Sequence, residues 1–413
     1  MKYIYRNLTK DIKDNIKTRP LTYLNGGRQV GKSTLCSNLS EHIKMNQITF
    51  DSPILLAAAK SDPATFIENL PNDVLNVIDE VQLAPEIFPY LKMQVDKNRL
   101  NDSKQKFLLT GSANLMALPT LSDALVGRMS VLTLYPFSAS EFYQTNVFLI
   151  DKLFNVPLKI QTLKNINIID VIKNCTYPEI ATNVSIDRTK WFDNYLTTIL
   201  NRDVKSLSDL KKPELMVALL SVLSMRAGGL LNNTSIANEI GVDYKTYEKM
   251  LAFAINSFMV FNVKPWAKPN KLNIRFVKSP KFYFTDCNFL SYIMKRDIEQ
   301  LYEDDKKSFG NLFENFVASE LLKQAKINNI ELSHFRTQSG KETDFVMENS
   351  KGEIIGIEVK SSKTLDKKFT SGLIELQKIC GDTFKRGFVI YLGNEILPLS
   401  NDIWAVPINY LWE

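Results

Sequence analysis

The chain has 413 residues, more than one ordinary hydrophobic core accommodates, so two to four domains are expected. Its 45% hydrophobic and 23% charged residues exclude a disordered chain, and no apolar run is long enough to span a bilayer. The net charge of +6 is small, but the segment 261–285 carries Lys264, Lys268, Lys271, Arg275, Lys278 and Lys281 with no acid, an excess equal to that of the whole chain. Such a basic ribbon fits a polyanionic partner or, equally, a solvated lysine-rich hairpin. The opening MKYIYRNLTKDIKD has neither the apolar core nor the cleavage site of a signal peptide. Cys36, Cys175, Cys287 and Cys380 form no close pair, which argues against a zinc site and fits a reducing, cytoplasmic setting without membrane contact. With only His42 and His334 available, a metal is expected to be held by oxygen ligands, which points to magnesium.

The first strong signal is LTYLNGGRQVGKSTL, residues 21–35. A short apolar strand runs into Gly26, Gly27, Arg28, Gln29, Val30, Gly31, Lys32 and Ser33, matching G-x-x-x-x-G-K-[ST], with Thr34 next as a further nucleotide contact, and a helix follows through Leu35 and Leu39. Glycines let backbone N–H groups converge on phosphates, Lys32 meets the β/γ-phosphate charge, Ser33 ligates Mg2+, and the helix N-terminus points its dipole at the anion. ATP is therefore the expected cofactor. QITFD (47–51) reads as another strand, and VLNVIDEVQ (74–82) as a buried one ending in Asp79, for the magnesium, and Glu80, to polarise the attacking water.

KFLLTGSAN (106–114) is a further buried strand. If it lies between the other two, Thr110 or Ser112 would face the γ-phosphate, and Ser112 is the preferred candidate. ALVGRMSVLTLYPFSASEF (124–142) supplies a helix end, Arg128 and a fifth strand. Arg128 is either an arginine finger reaching a neighbouring subunit, which implies a ring or other homo-oligomer, or a surface arginine at a turn. Alternation of strand and helix up to Phe142 predicts a three-layer parallel sheet with nucleotide at the carboxyl ends of its strands.

Residues from about 150 to 225 read as helix-rich, with RTKWFDNYLTTILNRDV (188–204) a long amphipathic segment. SIANEIG, VDY and KTYEKMLAFAI then give helix, tight turn and helix, and FMVFNVKPW with NIRFVKSPKFYFTD gives strand, loop and strand. This is winged helix-turn-helix patterning. DNA is the expected partner, contacted by Lys245 and Tyr247 of the second helix and by Lys264, Lys268, Lys271, Arg275 and Lys278 of the wing. Many such folds bind proteins instead, and Asp243 and Glu248 weaken a major-groove reading.

Three C-terminal segments belong together. In GNLFENFVASELLKQA (310–325), Asn311, Asn315, Ser319 and Lys323 form a polar stripe, while Glu314 shares a face with Val317, Ala318 and Leu321. In ETDFVME (342–348) Asp344 and Val346 face one way; in EIIGIEVKS (353–361) Glu358 and Lys360 share one side, opposite Ile355, Ile357 and Val359. A hairpin through NSKG would bring Asp344 near Glu358. Glu on a helix followed by Asp and Glu-x-Lys on adjacent strands resembles the PD-(D/E)xK nucleases. That resemblance implies Mg2+ held by acids among Glu314, Asp344 and Glu358, with Lys360 orienting the nucleophilic water. The alternative is an ordinary half-exposed strand or an inactive nuclease-like fold.

GGRQVGKSTL, VIDEVQ, LLTGS and LVGR…LYPFSASEF, in that order, resemble AAA-type ATPases paired with the domain of unknown function DUF4143. YPEI (177–180), YLTTILNRDV (195–204), VKSPKFYFTD (277–286) and ENFVASELL (314–322) extend the likeness over essentially the whole chain. Gly27 stands where that family usually has proline, and NCTYPEI replaces a glycine-rich approach to Tyr177. The resemblance implies an AAA/ASCE-type core over 1–145 and a helical lid over 146–225, where Arg188 or Arg202 would sense nucleotide or serve as scaffold. A winged helix-turn-helix over 226–290 and a C-terminal α/β restriction-endonuclease-like domain over 291–413 complete the expected architecture. The implied function is a DNA-directed ATPase, or else a nucleotide-gated switch with an inert C-terminal fold.

Overall fold

A computed structural model describes residues 3–101, 105–112, 127–145, 147–204, 213–266, 279–328, 330–337 and 339–413. The chain divides into two compact units, residues 2–135 with 256–258, and residues 136–255 with 259–413.

In the N-terminal unit the strands are β1 (Leu21–Asn25), β2 (Met45–Thr49), β3 (Leu75–Asp79), β4 (Lys106–Gly111) and β5 (Met129–Thr133). They form one parallel sheet in the order β2-β3-β4-β1-β5. The near-continuous apolar runs LTYLN, LNVID and KFLLTG reflect this, because a parallel sheet is covered on both faces. Leu21, Tyr23, Ile78, Phe107 and Leu109 pack with Phe88, Leu91 and Val95, one stripe of the helix Phe88–Leu100. β4 lies between β1 and β3, the condition under which Thr110 or Ser112 would face the γ-phosphate. Register places Asn25 beside Gly111, Thr49 beside Asp79 and Ile78 beside Leu109, so the chemistry-bearing residues emerge together at one sheet edge.

The second unit is built on a mixed nine-stranded sheet. Its strands are β6 (Gln161–Thr162), β7 (Val260–Pro265), β8 (Lys281–Phe284), β9 (Glu331–Arg336), β10 (Glu342–Glu348), β11 (Ile354–Lys360), β12 (Phe384–Tyr391), β13 (Glu395–Ser400) and β14 (Ile403–Pro407). Their order is β6-β13-β14-β12-β11-β10-β9-β7-β8. The hairpin through NSKG forms, with Phe345 opposite Ile357 and Val346 opposite Gly356. The helix Ser371–Cys380 then connects β11 to the parallel strand β12. Gly372 allows this helix to lie on the sheet, since a side-chain carbon there would stand 1.6 Å from the Glu342 carbonyl oxygen.

Helices Asn233–Glu239 and Tyr244–Asn256 are joined by the turn at Gly241, as expected. The strands after them are not a free wing. β7 pairs antiparallel with β8 (Val260 opposite Phe284) and parallel with β9 (Lys264 opposite Ser333), which makes the hairpin part of the large sheet. The physical reason lies in β8, all four of whose residues are buried and which gains more from a covered sheet than from solvent. The stripe Asn315, Ser319 and Lys323 is likewise buried rather than solvated. Asn315 exchanges hydrogen bonds with the Phe284 backbone, Ser319 donates to the Thr285 carbonyl, and Lys323 donates to Phe137 and Glu320. Among the described residues, no helix is long and apolar enough to cross a membrane.

Candidate functional site

The buried strand β1 delivers the chain into the loop 26–31, where backbone shape is imposed by glycine. Gly26 has φ +151°, and a side-chain carbon on it would fall 2.2 Å from the Leu134 carbonyl oxygen. Gly31, at φ +94°, starts the helix Lys32–Leu39. Gly27 is less restricted: a side-chain carbon there meets nothing closer than 3.6 Å. Arg6, itself buried, holds the loop from outside by donating to the carbonyls of Val30 at 2.8 Å and Tyr135 at 2.5 Å. The sequence reading missed this residue, since a lone arginine before the first strand carries no pattern.

Lys32 is buried, and its ammonium donates to the carbonyls of Gly26 (2.9 Å) and Gly27 (2.8 Å). Burial lowers its pKa to about 8, opposed by the charges of Glu80 and Asp79. Ser33 and Thr34 are exposed at the helix start. Ser33 Oγ donates to Asp79 Oδ2 at 2.8 Å, and Asp79 Oδ1 accepts from the Thr110 hydroxyl and from the Glu80 N–H at 3.0 Å. Glu80 sits in the left-handed region at φ 56° and accepts from Gln82 Nε2, which also donates to Ser112 Oγ at 3.1 Å. Thr110 thus touches the magnesium-type aspartate, and Ser112 joins Glu80 through Gln82. Gln82 was not singled out from sequence; a polar residue two positions beyond Asp79-Glu80 was the available signal.

This donor set suits a magnesium nucleotide. A hydroxyl and a carboxylate already converge where a small hard cation would take oxygen ligands, beside a helix N-terminus. The buried Oε1 of Gln82 has no protein partner. Arg28 is half-buried, Gln29 is exposed at φ 60°, and Val30 is buried. Arg128 lies side-on to Asp96, Nε to Oδ1 at 2.7 Å and Nη2 to Oδ2 at 3.0 Å.

The C-terminal candidates also converge, around a cation the sequence reading placed elsewhere. Lys281, at the start of β8, is 3% exposed, and its ammonium meets Glu342 Oε1 at 2.6 Å, Asp344 Oδ1 at 3.2 Å and Glu314 Oε1 at 3.3 Å. Tyr283 donates to Glu314 Oε1 at 2.7 Å, and the Val359 N–H donates to Asp344 Oδ2 at 2.9 Å. Lys360 donates to Glu358 Oε1 at 2.6 Å, while the buried Oε2 of Glu358 has no partner.

Burial and the neighbouring Asp344 charge raise Glu314 to about 7 and Glu358 to about 8. Burial alone would lower Lys281, but Asp344, Glu314 and Glu342 reverse the sign and hold it protonated. Among the described residues, no three His, Cys, Asp or Glu side chains are arranged to hold a metal. The nuclease candidates Glu314, Asp344, Glu358 and Lys360 do come together, with oxygens turned to protein partners. Asp344 spends one oxygen on a backbone N–H and the other on Lys281, and the Glu358–Lys360 pair closes on itself.

An AAA-domain family model matches residues 18–143, a model of a domain of unknown function, DUF4143, matches 309–411, and another, DUF8612, matches 168–300. The chain joins an AAA domain to a DUF4143 domain. It is 26% identical over 395 residues to an uncharacterized protein of Mycobacterium tuberculosis, covering 95% of this chain and 81% of that one. An uncharacterized protein of Methanocaldococcus jannaschii is 23% identical over 376 residues, with 85% and 77% covered. Among solved structures, a Walker-type ATPase of Pyrococcus abyssi aligns over 70% of this chain and 96% of its own at 13% identity and TM-score 0.44.

The AAA domain thus holds Gly26 to Thr34, Asp79, Glu80, Thr110 and Ser112 in one place. The DUF4143 domain contributes Glu314, Glu342, Asp344, Glu358 and Lys360, and the segment matched by DUF8612 contributes Lys281 and Tyr283. Of the expected DNA contacts, Lys245 and Lys264 are exposed. Lys268, Lys271, Arg275 and Lys278 lie outside the described residues. Tyr247 is buried and donates to Asn233, and Lys281 leaves the basic ribbon for the acidic cluster. Arg188 donates to the Lys173 carbonyl and to Asn288, the scaffold role.

Proposed function

We propose that this AAA-domain protein is a magnesium-dependent ATPase directed to DNA. The observation carrying the reading is the 2.8 Å bond from Ser33 to Asp79, with Thr110 and Glu80 alongside, at the aligned ends of β1, β3 and β4. Ser33 and Asp79 would hold Mg2+, which when bound neutralises phosphate charge. Lys32 exchanges the carbonyls of Gly26 and Gly27 for phosphate oxygens. Gln82 orients Glu80, whose carboxylate orders the attacking water. The DNA part of the reading is supported by exposed Lys245 and Lys264, which precede the sequence that carries Lys268, Lys271, Arg275 and Lys278. Self-association that lets Arg128 reach a neighbouring nucleotide belongs to the same proposal and requires release from Asp96.

The incorporation of the β7–β8 hairpin into the large sheet favours a second reading, in which nucleotide state switches a protein-binding surface. Phosphate release in magnesium, with and without duplex or single-stranded DNA, separates them. Stimulation that falls steeply with salt is expected for the first; an unchanged rate with no DNA bound would leave the second. A parent protein that neither binds nor turns over nucleotide, with Lys32→Ala indistinguishable from it, removes both.

A further inference from the structure

We propose that Lys281 is the resident cation of the C-terminal acidic cluster, standing where a nuclease of this patterning would carry a divalent metal and closing the cluster to one. An ammonium has three N–H donors, and here three carboxylates, Glu314, Glu342 and Asp344, stand within 3.3 Å of it. Its side chain is 4% exposed, so this is a built interior pair set and not a surface encounter.

The surrounding groups complete the arrangement. Tyr283 donates to the same Glu314 oxygen, Oε1, that meets Lys281, and the Val359 N–H donates to the second oxygen of Asp344. Lys360 donates to Oε1 of Glu358, whose buried Oε2 has no partner, and Arg336 approaches Glu342 at 3.8 Å. Lys281 and Lys360 together bring the charge of one divalent ion. A metal entering beside them would face like charge in a site of low dielectric and would find Asp344 with both oxygens committed. The lysine reaches this point because β8 is an edge strand folded against the helix Lys306–Ile327, 33 residues from Glu314 and 63 from Asp344 in sequence.

The assignment makes the cluster a metal-free, self-neutralised element of the fold that cleaves no phosphodiester. It does not depend on the ATPase reading, and its test removes the nucleotide site from consideration. In the full chain carrying Asp79→Asn and free of nucleotide, Mn2+ binding is followed by the loss of the free-ion electron paramagnetic resonance signal. The protein bearing Lys281 is expected to retain no Mn2+ at the cluster, and Lys281→Met to gain one equivalent that Asp344→Asn removes again. Mn2+ bound with Lys281 present and lost on Asp344→Asn overturns the proposal, as does DNA cleavage lost on that same substitution. A folded Lys281→Met protein that takes no Mn2+ overturns it too. If Lys281→Met lowers the yield of folded protein, adding Asp344→Asn is expected to restore it; failure of that rescue counts against the assignment.

Discussion

The loop around Lys32 and the cluster around Lys281 use the same residue types and reach opposite states. Both bury a lysine among polar partners, and in both the charge of nearby carboxylates acts on it. Lys32 is held only by backbone carbonyls, with Ser33 exposed beside it, so its partners can be exchanged for a ligand's oxygens. Burial lowers its pKa and outweighs the opposing charges of Glu80 and Asp79. Lys281 has three carboxylates within 3.3 Å, and their charges raise its pKa against the effect of burial. The partners thus separate the two sites: backbone carbonyls that a ligand's oxygens can replace at Lys32, carboxylates in direct contact at Lys281.

The comparison can be broken at either end. Lys32→Ala should show the largest effect, a fall in phosphate release of about 10²–10³-fold or more, measured at saturating magnesium ATP. If hydrolysis survives, Lys32 is not the open member of the pair. Next, Lys281→Met should destabilise the second unit by about 3–5 kcal/mol, the usual result of removing one partner from a buried ion pair. Denaturant unfolding at neutral pH measures this, with the loss smaller at pH 5, where the abandoned carboxylates can take up protons. A stability unchanged at both pH values would make the cluster a surface feature in energetic terms.

Proton linkage sharpens the contrast further. Glu314 and Glu358 are raised from 4.5 to about 7 and about 8, so the folded unit keeps protons that the unfolded chain releases. Their contribution is full below about pH 4.5 and is lost as pH rises through 7 to 8. The thermal midpoint of the second unit should fall over that window, and Glu358→Gln should flatten the fall. Lys32 gives the converse signature: ATP affinity should weaken as pH rises through about 8, where the nucleotide-free lysine loses its proton. The smallest effect on stability is expected at Arg128, whose carboxylate pair with Asp96 is solvent-screened. In stability Arg128→Ala should match Asp96→Asn; in turnover Arg128→Ala alone should lose activity with ATP binding spared, and equal turnover in the two variants would remove the role across subunits.

Much of the first unit was legible because its chemistry is local. Nine consecutive residues from Gly26 to Thr34 carry the phosphate loop, and Asp79-Glu80 ends an apolar run whose only reasonable use is a buried parallel strand. The choice between Thr110 and Ser112 was not legible, because side chains two apart on a strand differ only through what the adjacent strand offers. In the second unit the β10–β11 hairpin followed from its alternation and from NSKG. The wing did not, since strand patterning names a hairpin without naming the sheet it joins.

By itself the sequence determined the phosphate loop, the magnesium-type acid and the pairing of Asp344 with the Glu358 strand, all encoded in short runs with their own periodicity. Tertiary structure alone decided that Lys281 faces three carboxylates instead of solvent. A single lysine on a strand has no period, and its partners, brought together only by the edge pairing of β7, β8 and β9, lie 33 to 63 residues away where sequence contains them. Burial of β8 drives that pairing, and the charge must then be neutralised where it lands.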